Sequence, residues 1–167
     1  RFSLIRDGLI EKKFHPKIIF LMRDPVERVW SQLRMNNRFK FERTKVKATP
    51  QEEFKKLQNF YKSKSCINRT QYEIISKKLE SVFNPEEIYY GFYETLFTQA
   101  EINRLTNFLE CPMMTTDFGE IVHASPKSQT ELHGLNELLQ EIRQFYAPTY
   151  TWARGRFADA VPDAWGD

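Results

Sequence analysis

The sequence predicts an α/β fold in which a parallel sheet is flanked by helices. Two short apolar runs, at residues 17–22 and 88–93, carry the prediction, because continuous branched and aromatic residues are typical of strands buried on both faces of a parallel sheet. Segments with helical spacing of apolar residues precede, separate and follow these runs. Strands that alternate with helices indicate parallel pairing, since a parallel pair needs a crossover connection.

The first three elements follow one another closely. A helical pattern reaches Phe14 and ends at a His-Pro pair, because the residue before proline avoids helical geometry. The strand at 17–22 comes next. Directly after it, Asp24 suits the N-cap of a helix, Pro25 suits its first position, and Glu27 can complete a capping box. A strand therefore turns sharply into a helix.

The remaining elements are predicted from the same start residues and apolar stripes. Further helices are expected at 49–61, 70–82 with Ile74 facing inward, 94–109 and 129–146. The segments 62–65 and 111–127 are predicted to be loops, and Pro148 separates the last helix from an aromatic tail.

The composition is that of a globular protein. The chain has 167 residues, of which 41% are hydrophobic and 14% aromatic, which excludes collagen-like, coiled-coil and low-complexity classes. No stretch approaches the roughly 20 apolar residues of a membrane helix, and the opening residues lack the order of a signal peptide. We therefore expect one domain over 1–167, no membrane segment and a cytoplasmic location. Cys66 and Cys111 have no metal-binding spacing, so both are predicted to be free thiols and no metal is expected.

Positive charge is concentrated in the first part of the chain. Residues 1–99 carry 20 Lys and Arg against 12 Asp and Glu, a charge of +8, whereas residues 100–167 carry 5 against 10, a charge of −5. The densest segment runs from Arg34 to Lys47, where Glu42 is the single acid. It indicates either an anionic ligand nearby or a solvated or disordered basic loop.

Arg23 leaves the first strand at the end where ligands of open α/β sheets bind. Its guanidinium offers a planar set of donors that matches a phosphate and stays charged at all relevant pH values. Ser31 lies about two helical turns farther on, and the helix N-terminus adds backbone donors. Arg23 and Ser31 are therefore candidates for binding one phosphate, but each residue taken singly is better explained by an alternative. The alternatives are an ion pair of Arg23 with Asp24 or Glu27, and an ordinary exposed helix serine.

The segment from Lys17 to Ser31, KIIFLMRDPVERVWS, closely resembles the 3′-phosphate-binding segment of PAPS-dependent sulfotransferases, in which an apolar strand precedes R-D-P-x-x-R-x-x-S. The resemblance implies a P-loop-like sheet and transfer of a sulfonyl group from PAPS, with PAP as the product. It also implies that Arg23 and Ser31 hold the 3′-phosphate of PAPS.

Two later stretches are similar to the same family. Residues 69–72, 83–86 and 92–96 look like its tyrosine-bearing helix, Phe-Pro stop and Tyr-Glu-x-Leu strand end. Residues 122–128 resemble the loop that closes over the nucleotide in sulfotransferases of the carbohydrate and bacterial type. The resemblance implies nucleotide contacts from Tyr72, Lys127 and Ser128, although Tyr72 also suits packing at the core edge. Arg28 and Arg34 are candidates for guiding an anionic acceptor, or they lie on a solvated helix face.

One part of the family pattern is missing. Sulfotransferases bind the 5′-phosphosulfate with a Gly/Ser/Thr/Lys loop, but the six glycines here are scattered and none begins such a loop. Because the chain also begins with Arg and offers only two strands, we expect it to be the C-terminal portion of a sulfotransferase domain. The catalytic base has no counterpart: His15 precedes the strand, His133 falls in a predicted helix, and only His123 lies near the proposed nucleotide.

The expected function is therefore sulfonyl transfer from PAPS to a hydroxyl or amine of a small-molecule or glycan acceptor. Nucleic acid is not an expected partner. Two alternatives stay open: a non-catalytic polyanion- or nucleic-acid-binding module that uses the basic 34–47 segment, and a relative of the P-loop kinases. The sequence leaves the acceptor and the oligomeric state undecided.

Overall fold

The computed structural model describes residues 2–119 and 133–166, which fall into two compact units. The described residues of the sheet unit lie within Arg1–Arg23, Tyr72–Ile121 and Phe157–Asp167, and those of the helical unit lie within Asp24–Gln71 and Val122–Arg156. The chain passes from the sheet unit to the helical unit between Arg23 and Asp24, directly after the first strand.

Two parallel strands form the sheet. Strand β1 (Ile18–Met22) pairs with β2 (Ile88–Phe92) without offset, from Ile18 opposite Ile88 to Met22 opposite Phe92. They are the only strands in the described part of the chain. The predicted α/β class, the parallel pairing and the positions of both strands are confirmed.

Strand β1 is covered less completely than its sequence predicts. Ile18 and Phe20 pack against the buried cluster of Leu79, Phe83 and Ile88. Ile19 and Leu21, which point the other way along the strand, are 42% and 41% exposed. The expectation of burial on both faces is therefore wrong for β1 within the described residues. A run without polar residues shows no alternation of polar and apolar positions, so its sequence cannot indicate which face of the strand is exposed.

In the described part of the sheet unit the α-helices are α1 (Phe2–Glu11), α5 (Tyr72–Glu80), α6 (Tyr93–Leu96) and α7 (Gln99–Leu109). A 3₁₀ turn at Pro85–Glu87 leads into β2. The single helix predicted over 94–109 is broken at Thr98, whose side chain accepts a hydrogen bond from the Glu101 N–H and caps α7. Ile74 is exposed rather than inward.

A polar cluster joins β2 to α7. The Tyr89 hydroxyl donates to Glu101 at 2.5 Å, and the Arg104 guanidinium pairs with the same carboxylate while its Cζ lies 4.3 Å from the Tyr89 ring centroid. Burial and the adjacent carboxylate raise the pKa of Tyr89. Burial opposes ionisation of Glu101, but hydrogen bonds from Arg104 and Tyr89 outweigh it and lower the pKa of this carboxyl. The cluster keeps Glu101 charged and fixes the helix against the strand.

The helical unit contains α2 (Pro25–Thr44), α3 (Pro50–Phe60), α4 (Lys64–Thr70), α8 (Leu135–Phe145) and α9 (Ala147–Phe157, its last residue in the sheet unit). The predicted caps at Asp24 and Thr49 are confirmed. Helix α4 replaces part of a predicted loop, and α2 carries most of the basic 34–47 segment in helical form. Pro148 lies within the first turn of α9, where proline is tolerated, so most of the predicted aromatic tail is helical.

Buried polar groups tie the helical unit together. The Tyr146 hydroxyl donates to the carbonyl of Tyr61 at 2.7 Å and lies 3.7 Å from the Sγ of Cys66. Burial raises the pKa of the Cys66 thiol. Cys66 and Cys111 are both free thiols, as predicted.

Gly91 provides a test of the strand packing. A Cβ at this position meets Leu21 Cδ2 and Tyr89 Cε1 at 2.9 Å, and the Tyr89 ring is held by Glu101. We expect Gly91→Ala to lower the free energy of unfolding by about 1–3 kcal/mol through overpacking. Gly8→Ala is the matched control, because a Cβ at Gly8 in α1 has open space around it and alanine has a higher helix propensity than glycine. Urea denaturation of both variants measures the effect, and equal stabilities contradict the close approach.

Candidate functional site

The carboxyl edge of the sheet brings an arginine to a tyrosine. Met22 and Phe92 are the last register pair of the strands, so Arg23 and Tyr93 follow them at the same edge. The guanidinium carbon of Arg23 lies 4.7 Å from the centroid of the Tyr93 ring, within the range of a cation–π interaction. Arg23 is half-buried and Tyr93 is 43% exposed, so the pair is accessible to solvent.

Tyr72, the first residue of α5, holds the backbone of Arg23. Its hydroxyl donates to the Arg23 carbonyl at 2.8 Å and accepts from the Arg23 N–H at 3.2 Å. Tyr72 is only 1% exposed, and its ring contacts those of Phe20 and Trp165. Buried polar groups are normally paired in this way. The end of β1 is therefore fixed by a tyrosine anchored in the core of the sheet unit.

The last residues of the chain support the same edge. The ring of Phe92 forms T-shaped pairs with the rings of Phe157 and Trp165, with centroids 5.5 and 5.3 Å apart. Such edge-to-face pairs contribute about 0.5–1.5 kcal/mol each beyond their buried area. Phe92, which precedes Tyr93, is thus fixed by residues near the C-terminus of the chain.

In the helical unit, Asp24 is buried and fully engaged. Its Oδ1 accepts from the Glu27 N–H at 2.9 Å and its Oδ2 accepts from the Tyr150 hydroxyl at 2.7 Å, while Arg143 lies 3.9 Å from Oδ2. Burial and this carboxylate raise the pKa of Tyr150. The Glu27 N–H is therefore used by the cap, so it is not among the backbone donors that the sequence predicts for a ligand.

Ser31 lies on α2 about two turns after this cap and is half-buried. Arg28 and Arg34 are also half-buried, and the Arg34 guanidinium carbon lies 4.6 Å from the ring centroid of Trp30. Arg23 belongs to the sheet unit and Ser31 to the helical unit. Their binding of one phosphate stays a prediction.

A family model described as "Sulfotransferase domain" matches residues 4–144 of the chain. The chain belongs to the sulfotransferase family. The matched span includes Arg23, Ser31, Tyr72 and Lys127, and sulfonyl transfer is the general chemistry of the family. No curated protein matches the chain.

Three residues that the sequence singles out in this sulfotransferase domain lie outside the described residues. They are Lys127 and Ser128, predicted to contact the nucleotide, and His123. The nucleotide contact of Tyr72 also stays a prediction, although the hydroxyl of Tyr72 is hydrogen-bonded to Arg23.

The two described histidines of the sulfotransferase domain lie outside helices and strands. His15 is exposed and precedes β1, so it is at the opposite end of the strand from Arg23. His133 is exposed in a turn and not in a helix as predicted, because Gly134 has a positive φ of 81° and α8 begins at Leu135. Neither histidine is assigned as the catalytic base.

Residues 2–119 and 133–166 contain no group of three or more His, Cys, Asp or Glu arranged to hold a metal ion. Within the same ranges, none of the helices combines the length and the apolar character required to cross a bilayer.

The sequence does not single out two tyrosines that make important contacts, Tyr93 and Tyr150. Tyr93 appears there only as the end of a strand, although its position directly after a strand that pairs with β1 is the feature that brings it to Arg23. Tyr150 is assigned to an aromatic tail, and its partner Asp24 is 126 residues away, so no local pattern links them.

The contact of Tyr150 with Asp24 predicts a pH dependence of stability. The folded protein keeps Tyr150 neutral above pH 10, whereas the unfolded chain ionises it near its ordinary pKa of 10.0. Its contribution to stability is therefore complete below about pH 10 and is lost as the pH rises above that value. We expect Tyr150→Phe to cost about 1.5–3 kcal/mol at pH 8, because a hydrogen bond to a charged group is lost.

Denaturation at several pH values between 8 and 11 measures both effects. The free energy of unfolding should fall less steeply above pH 10 in Tyr150→Phe than in the wild type. Identical slopes in the two proteins contradict the pairing of Tyr150 with Asp24.

Proposed function

We propose that the chain transfers a sulfonyl group from PAPS to a hydroxyl or amine of a small-molecule or glycan acceptor, with Arg23 and Ser31 binding the 3′-phosphate of PAPS. Membership of the sulfotransferase family supports the reaction class. The observation that carries the proposal is Arg23 at the carboxyl end of β1, within the R-D-P-x-x-R-x-x-S pattern. Tyr72 holds its backbone and its guanidinium lies against the ring of Tyr93.

The charge and shape of the Arg23 side chain suit this role. A guanidinium binds two phosphate oxygens at once and stays protonated beside a dianion. Because the protein holds Arg23 before the ligand arrives, little conformational entropy remains to be lost on binding. Binding through Arg23 therefore favours a nucleotide with a 3′-phosphate over other adenine nucleotides, which carry a 3′-hydroxyl.

In the proposed reaction, the acceptor oxygen or nitrogen forms a bond to sulfur while the bond from sulfur to the bridging phosphate oxygen breaks. PAP leaves with the electron pair of that bond, and the acceptor proton passes to a base. Arg23 and Ser31 anchor the donor and do not touch the sulfur. By resemblance, Lys127 and Ser128 are proposed to contact the nucleotide. Such positioning of the donor supplies much of the catalysis in group transfer.

For the acceptor, we propose that Arg28 and Arg34 guide an anionic molecule to the site. Farther along, the basic 34–47 segment favours a second candidate function, a polyanion-binding surface. Its cations Arg38, Lys40, Arg43, Lys45 and Lys47 are all exposed.

Titration of the full chain with PAP by calorimetry tests the proposal. We expect Arg23→Ala to weaken binding about 10- to 150-fold, which corresponds to the roughly 1.5–3 kcal/mol of a charge-assisted hydrogen bond. Ser31→Ala removes a neutral donor and should weaken binding about 2- to 10-fold. Arg38→Ala is the matched control, because this arginine of α2 is exposed and outside the proposed site. Unchanged affinity of Arg23→Ala for PAP defeats the assignment.

Competition between nucleotides separates the candidate functions. A sulfotransferase should prefer PAP to AMP and ATP, whereas a kinase relative should prefer ATP. A polyanion-binding module should show steeply salt-dependent binding to a polyanion, sensitivity to Arg38→Ala, and no discrimination by the 3′-phosphate.

A further inference from the structure

We propose that Tyr93 and Tyr72 are positioning residues for Arg23, and that together they hold its guanidinium in the orientation that binds the 3′-phosphate. The inference rests on the proposed function, in which Arg23 is a ligand of that phosphate. Both tyrosines belong to the sheet unit, as does Arg23, so the contacts that carry the inference lie within one compact unit.

Tyr72 fixes the main chain. Its single hydroxyl proton is donated to the Arg23 carbonyl and its oxygen accepts from the Arg23 N–H, so both backbone polar groups of Arg23 contact one side chain. The ring of Tyr72 is buried against Phe20 and Trp165. Rotation of the backbone at Arg23 therefore requires the loss of two hydrogen bonds at a buried position, which is costly.

Tyr93 fixes the side chain. An arginine side chain loses rotamer entropy when it is fully ordered, and a mobile guanidinium loses it when a ligand binds. With its Cζ 4.7 Å from the Tyr93 ring centroid, the guanidinium is ordered beforehand. The N–H donors of a guanidinium lie along its edge, and phosphates are bound through these donors.

The surroundings of Tyr93 support a role in ordering Arg23. Its ring contacts that of Phe97, with centroids 5.4 Å apart, so the surface on which Arg23 rests is itself supported. Tyr93 starts α6 directly after the last register pair of the sheet. The position of the ring is therefore set by β2, as the position of Arg23 is set by β1.

The experiment compares PAP with AMP, which lacks the 3′-phosphate, in calorimetric titrations of the full chain. We expect Tyr93→Ala to weaken PAP binding about 2- to 5-fold, the worth of a cation–π interaction at an exposed position, and to leave AMP binding unchanged. Tyr93→Phe keeps the ring and should restore the affinity of the wild type for PAP. Phe14→Ala is the control, because Phe14 is an aromatic residue that is also exposed but lies before β1, and the substitution should change neither affinity.

A double-mutant cycle shows whether Tyr93 acts through Arg23. In the Arg23→Ala background, Tyr93→Ala should weaken PAP binding no further, since the group that it orders is absent. Tyr72→Phe, which keeps the buried ring and removes both hydrogen bonds, should also lower affinity for PAP more than for AMP. Its melting temperature is measured alongside, and the exposed Tyr93 variants decide the question if Tyr72→Phe is unstable.

The results that overturn the inference differ from those that overturn the proposed function. Equal weakening of PAP and AMP by Tyr93→Ala, no weakening at all, or the same weakening in the Arg23→Ala background each refutes the positioning role alone. If Arg23→Ala itself binds PAP as the wild type does, the proposed function fails.

Discussion

The parallel pairing of β1 with β2 without offset is the constraint on which the candidate site depends. It sets Met22 opposite Phe92 and so delivers Arg23 and Tyr93 to the same edge. A slip by one residue turns every side chain of a strand to the other face. The absence of a side chain at Gly91 allows Leu21 and Tyr89 to pack closely there. This packing helps to hold the carboxyl ends of the two strands together next to Arg23.

Tyrosine hydroxyls satisfy buried polar groups in both units. In the sheet unit, Tyr72 pairs with the backbone of Arg23; in the helical unit, Tyr150 donates to the buried carboxylate of Asp24. A tyrosine combines a large apolar ring with one polar atom at its tip, so it can bury itself in a core and still reach a polar partner. Each of these tyrosines fixes one side of the Arg23–Asp24 junction, where the family pattern has its strand-to-helix turn.

Much of the fold could be predicted because it depends on local chemistry. The two strands follow from apolar runs, and the caps at Asp24 and Thr49 follow from side chains that bond the nearest backbone N–H. Arg23 is a candidate through its position after a strand, and the R-D-P-x-x-R-x-x-S pattern gives it a role by resemblance. The exposed face of β1 could not be predicted, because its residues are all apolar and carry no period. The contact of Tyr150 with Asp24 could not be predicted either, since 126 residues separate the partners. The roles of Ser31, Lys127 and Ser128 rest on resemblance, because no contact among the described residues decides them.

The most direct measurement is a crystal structure of the chain with PAP bound. The account predicts the 3′-phosphate within hydrogen-bonding distance of the Arg23 guanidinium, which keeps its contact with the ring of Tyr93. A phosphate bound elsewhere, or an Arg23 side chain turned away from the nucleotide, would contradict the account.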